Sequence, residues 1–147
     1  MSTIPTPEHL PSETHHANGL YSLVSTHPPF IFTAGITPRR DGELIAQGMA
    51  EVDISPEEME YLAHFTAKRL IQVLTQHGFN TIRPLMLHVY VASQPHQQNH
   101  SRYADACSKV LVDHYKHQPA RVAVGVASLP GNAPIEISLI AVNEVDA

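Results

Sequence analysis

The sequence predicts an α+β domain with two helices on one face of a sheet, and three observations lead to that class. Strand-like and helix-like stretches follow one another in the order ββ-α-β-α-ββ. Residues 120–128 and 135–142 are small or apolar on both sides, apart from a few polar positions. Two helices can cover only one side of such a sheet. An apolar side left without a layer has to be buried by another subunit, so an obligate oligomer is expected, with ligand sites between subunits.

The elements follow in chain order. Residues 1–18 hold Pro5, Pro7 and Pro11 among polar residues and read as an extended lead-in to a single domain over 19–147. LYSLVS at 20–25 and PFIFTAG at 29–35 read as strands, with Thr26–His27–Pro28 as the bend. PRRDGEL at 38–44 is a polar loop with an Asp41–Gly42 turn signal. Ser55, Pro56 and Glu58 mark a helix start: an N-cap, a proline at the first helical position and a capping-box glutamate. Met59, Leu62, Ala63, Thr66, Leu70, Val73 and Leu74 then form one buried stripe, and Gly78 ends the helix. LMLHVYV at 85–91 is a strand apolar on both faces. A second helix spans 99–117, with Tyr103, Ala106, Cys107, Val110, Leu111 and His114 inward. Strands at 120–128 and 135–142 complete the domain.

Composition narrows the function classes. The 147 residues are 43% hydrophobic and 16% charged, which is that of a folded domain rather than a disordered chain. Net charge is −5 with lysine and arginine scattered, so no basic stripe tracks a phosphate backbone and nucleic acid is not the expected partner. The single Cys107 leaves no internal disulfide and suits a reducing compartment. The N-terminal MSTIPTPEHLPSETHH lacks the basic and apolar regions of a signal peptide, and no apolar run is long enough to span a membrane. A cytoplasmic protein is expected.

The most informative charges lie in PARVAVGVASLPGNAPIEISLIAV. Arg121 opens an otherwise apolar strand and Glu136 sits inside the next. Such groups are seldom buried without partners, and the planar guanidinium fork suits a carboxylate. One reading is that Arg121 holds the carboxylate of a small substrate; the other is that it pairs with a protein acid. A simple hairpin about Gly131 and Asn132 would set Arg121 against Val142 and Glu136 against Ala127, roughly 20 Å apart. Either a third strand separates the two charges or they meet across subunits.

These residues resemble the C-terminal signature of the reactive intermediate deaminase family, also called Rid or YjgF-like and once labelled L-PSP endoribonuclease. The resemblance rests on Ala120–Arg121, Leu129–Pro130 and Ile135–Glu136–Ile137, with the glutamate fifteen residues after the arginine. Gly19–Leu20–Tyr21–Ser22 and Phe32–Thr33–Ala34–Gly35 resemble two upstream family elements, so the likeness spans about residues 17–142. It implies a chorismate-mutase-like mixed sheet, a homotrimer with clefts between subunits, and last strands that are not neighbours. It also implies hydrolysis of 2-imino or 2-enamino carboxylic acids without metal or cofactor. Arg121 would grip the substrate carboxylate, Glu136 would position water and move protons, and Tyr21 would wall the cleft. Three positions depart from the family pattern: Ala34 replaces a serine, Ala123 a small polar residue, and Asp105 an asparagine that contacts ligand in many members. An anionic Asp105 beside Arg121 would repel a carboxylate or occupy the arginine.

Other constellations carry less. Eleven histidines include helix-compatible pairs, His96/His100 and His114/His117, but neither an HExxH motif nor a cysteine pair supports a metal site. His88 reads as a core or interface residue, and Cys107 as a small buried hydrophobe. Arg39–Arg40 reads as a solvated loop; alternatively it reaches a neighbouring subunit's cleft and helps bind a dianion, as the dicarboxylate substrates of the related 2-aminomuconate deaminases would require. Besides the deaminase, the sequence leaves open a trimeric binder of a small carboxylate without turnover. RNA cleavage is disfavoured by the acidic charge.

Overall fold

Ser55 opens the longer helix as its hydroxyl dictates: Oγ accepts from Glu58 N at 3.2 Å, with Pro56 in the first turn. The structure is a computed structural model that describes residues 14–145. Its elements are β1 (Val24–His27), β2 (Phe30–Thr33), β3 (Arg39–Arg40), β4 (Glu43–Leu44), α1 (Pro56–Gln76), β5 (Ile82–Ala92), α2 (His100–Tyr115), β6 (Ala120–Val126) and β7 (Ile135–Asn143). Residues 1–13 of the expected lead-in lie outside the described residues. In the part that is described, His15 is buried, its main-chain N and O bonded to the Gln76 side chain of α1.

The main sheet has the order β1-β2-β7-β5-β6, with β5 and β6 parallel and every other pair antiparallel. A parallel pair needs a long crossover, and α2 supplies it. The sheet is therefore mixed, and the hairpin about Gly131–Asn132 is not formed. β5 stands between β6 and β7, and Pro130–Asn132 make one 3-10 turn on the way. Register divides the faces. Leu87, Val89 and Val91 of β5 pair with Leu139, Ile137 and Ile135 of β7, and all six are buried toward the helices. Alternate positions, His88, Tyr90, Glu136 and Ser138 among them, point to the other face.

Both helices pack with their apolar stripes inward. The α1 stripe is as expected and broader, adding Phe65, Ala67 and Ile71. On α2 the buried set is Tyr103, Ala104, Cys107, Val110, Leu111 and Tyr115. His114 is exposed, a correction to its expected inward place. Its neighbour Tyr115 takes the inner position while the two rings meet edge to face. Residues 20–22 are not strand, because the chain turns tightly there through a Tyr21 N to Gly19 O bond of 2.9 Å. The loop at 38–44 proves to be the β3–β4 hairpin. Asp41 and Gly42 both have positive φ, 52° and 81°, as a two-residue hairpin turn requires.

The face away from the helices carries Phe30, Phe32, Val122 and Val124, each more than two-fifths exposed. No layer of this chain covers them among the described residues. In urea unfolding at fixed protein concentration, Leu70→Ala is expected to cost about 2–5 kcal/mol, since it empties a fully buried site between α1 and the sheet. Ser55→Ala should cost only about 1 kcal/mol, the loss of one cap.

Candidate functional site

A cavity of about 600 Å³ opens between the 16–23 segment, the end of β2 and the start of β7. That volume falls in the usual range for small-molecule sites. Of the residues singled out in the sequence, Tyr21, Ala34 and Glu136 line it. Glu136 is placed by β7 with its carboxylate against the backbone of Gly35. A Cβ at Gly35 would stand 2.6 Å from Glu136 Cδ and Oε1, so the close approach requires glycine. Ala34 is held by its N–H bond to Leu23 O at 2.8 Å, and Leu139 N donates to Thr33 Oγ1 at 2.9 Å. Together they fix the end of β2 beside β7. Tyr21 is half exposed at the cavity wall, its hydroxyl accepting a long 3.4 Å bond from Asn18 N.

Glu136 makes no hydrogen bond or ion pair with any described residue, and burial raises its carboxyl above the ordinary glutamate range. Desolvation is its cause, and no described residue offsets it.

Arg121, Ala123 and Asp105 are elsewhere. Arg121 pairs in register with Leu87 and Ala123 with Val89, which sets both on the helix-covered side of β6, the last strand of the sheet. Glu136 is two strands away, on the opposite side. A third strand, β5, thus separates the charges, which was one of the two arrangements the spacing allowed. Arg121 Nη1 donates to Asp105 Oδ1 at 2.7 Å and to Ser108 Oγ at 3.1 Å, both on α2. The departure at position 105 thus engages one end of the guanidinium. Cys107 is fully buried, its thiol donating to Ala63 O and its pKa pushed up to about 12 by desolvation, which marks a structural residue.

Two cations line the cavity. Arg39 lines it from β3 within the same protomer, and Arg69 lines it from α1. Arg69 is buried, donating from Nε to His15 Nδ1 and from Nη1 to Thr37 O. Its signal was its place: three residues after Thr66 and four before Val73, a charged side chain on an apolar stripe. Arg40 points the other way, its guanidinium 5.7 Å from the Phe65 ring centre. A smaller cavity of about 420 Å³ is lined by Ser93, His96, His100 and Gly125. There Ser93 Oγ and His100 Nε2 are 3.4 Å apart, and both occupy the space a Cβ on Gly125 would need. No three His, Cys, Asp or Glu side chains among the described residues are grouped to hold a metal ion.

The raised Glu136 pKa fixes a sign for stability. The native state keeps this proton at pH values where the unfolded chain, with a carboxyl near about 4.3, has lost it. Native stability therefore declines as pH rises from the unfolded value through the native one. Thermal melts between about pH 3 and pH 8 should find Glu136→Gln more stable than wild type at neutral pH, the difference closing below about pH 4.

No helix among the described residues is long and apolar enough to cross a membrane. No protein of curated function matches the chain. Among solved structures, a Shewanella oneidensis protein is similar at TM-score 0.79 and 22% identity, over 94% of this chain and 99% of that one. The YjgF gene product of E. coli is similar at TM-score 0.63 and 22% identity, covering 93% and 95%. E. coli TdcF, solved with bound serine, is similar at TM-score 0.60 and 20% identity, covering 86% and 90%. These likenesses carry the fold. The family model described as Endoribonuclease L-PSP matches residues 12–143, nearly all of the domain, and the chain belongs to that family.

Proposed function

We propose that the chain is an imine/enamine deaminase that hydrolyses reactive 2-imino and 2-enamino carboxylic acids to 2-oxo acids and ammonia, at clefts between the subunits of a cytoplasmic homotrimer. The observation that carries this reading is Glu136: a half-buried carboxyl without a partner among the described residues, seated on Gly35 and facing a cavity of ligand size. A carboxyl whose pKa burial has raised is better suited to take and return a proton than a solvated glutamate. An enamine takes a proton at carbon to become the iminium. Water then adds across C=N, a proton moves to nitrogen, and ammonia leaves as the carbonyl forms. Nothing is oxidised or reduced, and positioning supplies much of the barrier reduction.

Arg121 grips the substrate carboxylate in this reading. It lies on the far side of the sheet from Glu136, so the arginine that meets a given Glu136 is a neighbouring protomer's. The uncovered Phe30, Phe32, Val122 and Val124 favour such neighbours, because apolar area of this kind is normally buried. The serine bound to TdcF is itself a small α-carboxylate. A second reading follows from the Arg121–Asp105 pair: with one end of the guanidinium engaged, the site binds a small acid without turning it over.

The two readings part in an ammonia-release assay on imines generated by an amino-acid oxidase. The deaminase reading expects release by wild type, a fall in kcat of about 10²-fold or more for Glu136→Gln, and a raised KM for Arg121→Ala. Equal rates in all three discard it, and tight 2-oxo acid binding without release establishes the binder. Sedimentation should give three protomers for wild type, and Val124→Asp should shift it toward monomer.

A further inference from the structure

The smaller cavity shares no lining residue with the one around Glu136, and it holds a pair of side chains that the deaminase reading does not use. β5, α2 and β6 form a parallel strand–helix–strand unit, and ligands in such units sit outside the carboxyl ends of the strands. This cavity of about 420 Å³ lies at that end. Ser93 lines it just after β5, Gly125 and Val126 from β6, and His100 as the first residue of α2. Ser93 is buried, and its N–H bonds Val126 O at 3.0 Å. Its Oγ stands 3.4 Å from His100 Nε2.

The surroundings are fitted to that pair. A Cβ on Gly125 would come within 2.5 Å of both Ser93 Oγ and His100 Nε2, so a larger residue there would expel one of them. Glycine inside a strand weakens it and marks such close approaches. The first turn of α2, which carries His100, is pinned by the Glu51 carboxylate. It accepts from Asn99 Nδ2 at 3.1 Å on each oxygen and from the Tyr103 hydroxyl at 2.6 Å. Ser93 Oγ and the His100 ring have no other hydrogen bond to a described residue, so the hydroxyl proton has one acceptor, Nε2. An imidazole so placed can activate a serine, and such bonds are often long in unliganded sites. The remaining walls include Met49, Pro95 and Ala127, and no Asp, Glu, Lys or Arg among the described residues lines the cavity. An uncharged guest with a short hydrocarbon chain suits it.

We propose that Ser93 and His100 form a second catalytic centre, which hydrolyses uncharged esters of short-chain carboxylic acids. His100 Nε2 takes the Ser93 proton as Oγ bonds to the ester carbonyl carbon. The carbon–alkoxide bond then breaks, the alcohol leaves with that proton, and the acyl group stays on Oγ. Water adds to the acyl-serine with His100 again as the base, the proton returns to Oγ, and the carboxylic acid departs. Nothing is oxidised or reduced.

The test uses the full chain and two probes. Diisopropyl fluorophosphate phosphorylates activated serines with loss of fluoride and spares ordinary ones, while 4-nitrophenyl butyrate reports ester cleavage. Wild type should gain one adduct by intact mass, mapped to Ser93, and 4-nitrophenol release should fall in proportion to the adduct. Ser93→Ala should lose both. His100→Gln keeps a polar group opposite Oγ but cannot take a proton, so both rates should fall about 10²-fold or more, whereas a merely structural histidine would be rescued. Melting curves report whether the variants fold, and the wild-type measurements do not depend on them. No adduct, an adduct on another residue, release that survives full modification, or undiminished rates in His100→Gln overturns the proposal.

Discussion

Among the described residues, helices cover one face of this sheet and leave the other bare, and most of what distinguishes the molecule follows from that constraint. Alternation along β5 and β7 sends Leu87, Val89, Val91, Ile135, Ile137 and Leu139 into the core, all essentially without solvent exposure. The same alternation obliges Glu136 to face away from the helices, and the register obliges Arg121, two strands across, to face toward them. The two charges cannot neutralise each other within a protomer. Glu136 therefore keeps only its desolvation, and its carboxyl holds a proton more tightly than a free glutamate does. An ordinary structural rule, the period of two in a strand, thereby creates a chemically unusual group.

The bare face is also where oligomerisation and chemistry would coincide. Phe30 and Phe32 lie on β2, which leads into the Ala34–Gly35 end of the cavity, while Val122 and Val124 flank Arg121 and Ala123 on β6. The two singled-out triplets lie apart within one protomer. Tyr21, Ala34 and Glu136 line the cavity beside β2 and β7, whereas Arg121, Ala123 and Asp105 lie where β6 meets α2.

The parts legible in the sequence are those fixed by local chemistry. α1 was readable because cap, proline, stripe and terminal glycine agree over twenty-one residues. The partition of β6 from β7 was partly readable, since the spacing of Arg121 and Glu136 made a direct hairpin pairing implausible. The strand order itself was not, because nothing local to residues 82–92 says that they insert between the last two strands. His114 misled for a related reason: two adjacent ring residues, His114 and Tyr115, compete for one inward position, and tertiary packing chose the larger and more apolar. Arg39 was read as either a solvated loop or a reach to a neighbour. Its place in its own protomer's cavity depends on a hairpin whose two-residue strands carry almost no periodic signal.

Whether Asp105 disables Arg121 is decided by magnitudes. The pair is short, 2.7 Å, but Asp105 is 73% exposed and the contact uses only Nη1. Ion pairs of that exposure contribute about 0–1 kcal/mol, because water screens them and two side chains must be held in place. A bidentate carboxylate meeting the remaining donors of the same guanidinium in a cleft closed by a second subunit would be desolvated, and charge-assisted bonds strengthen as water leaves. Asp105 therefore orients the arginine more than it consumes it: the aspartate and Ser108 hold one nitrogen toward α2 and leave Nε and Nη2 without a hydrogen bond to any described residue. The residue read in the sequence as a lost ligand contact is, in the structure, a support for the Arg121 side chain.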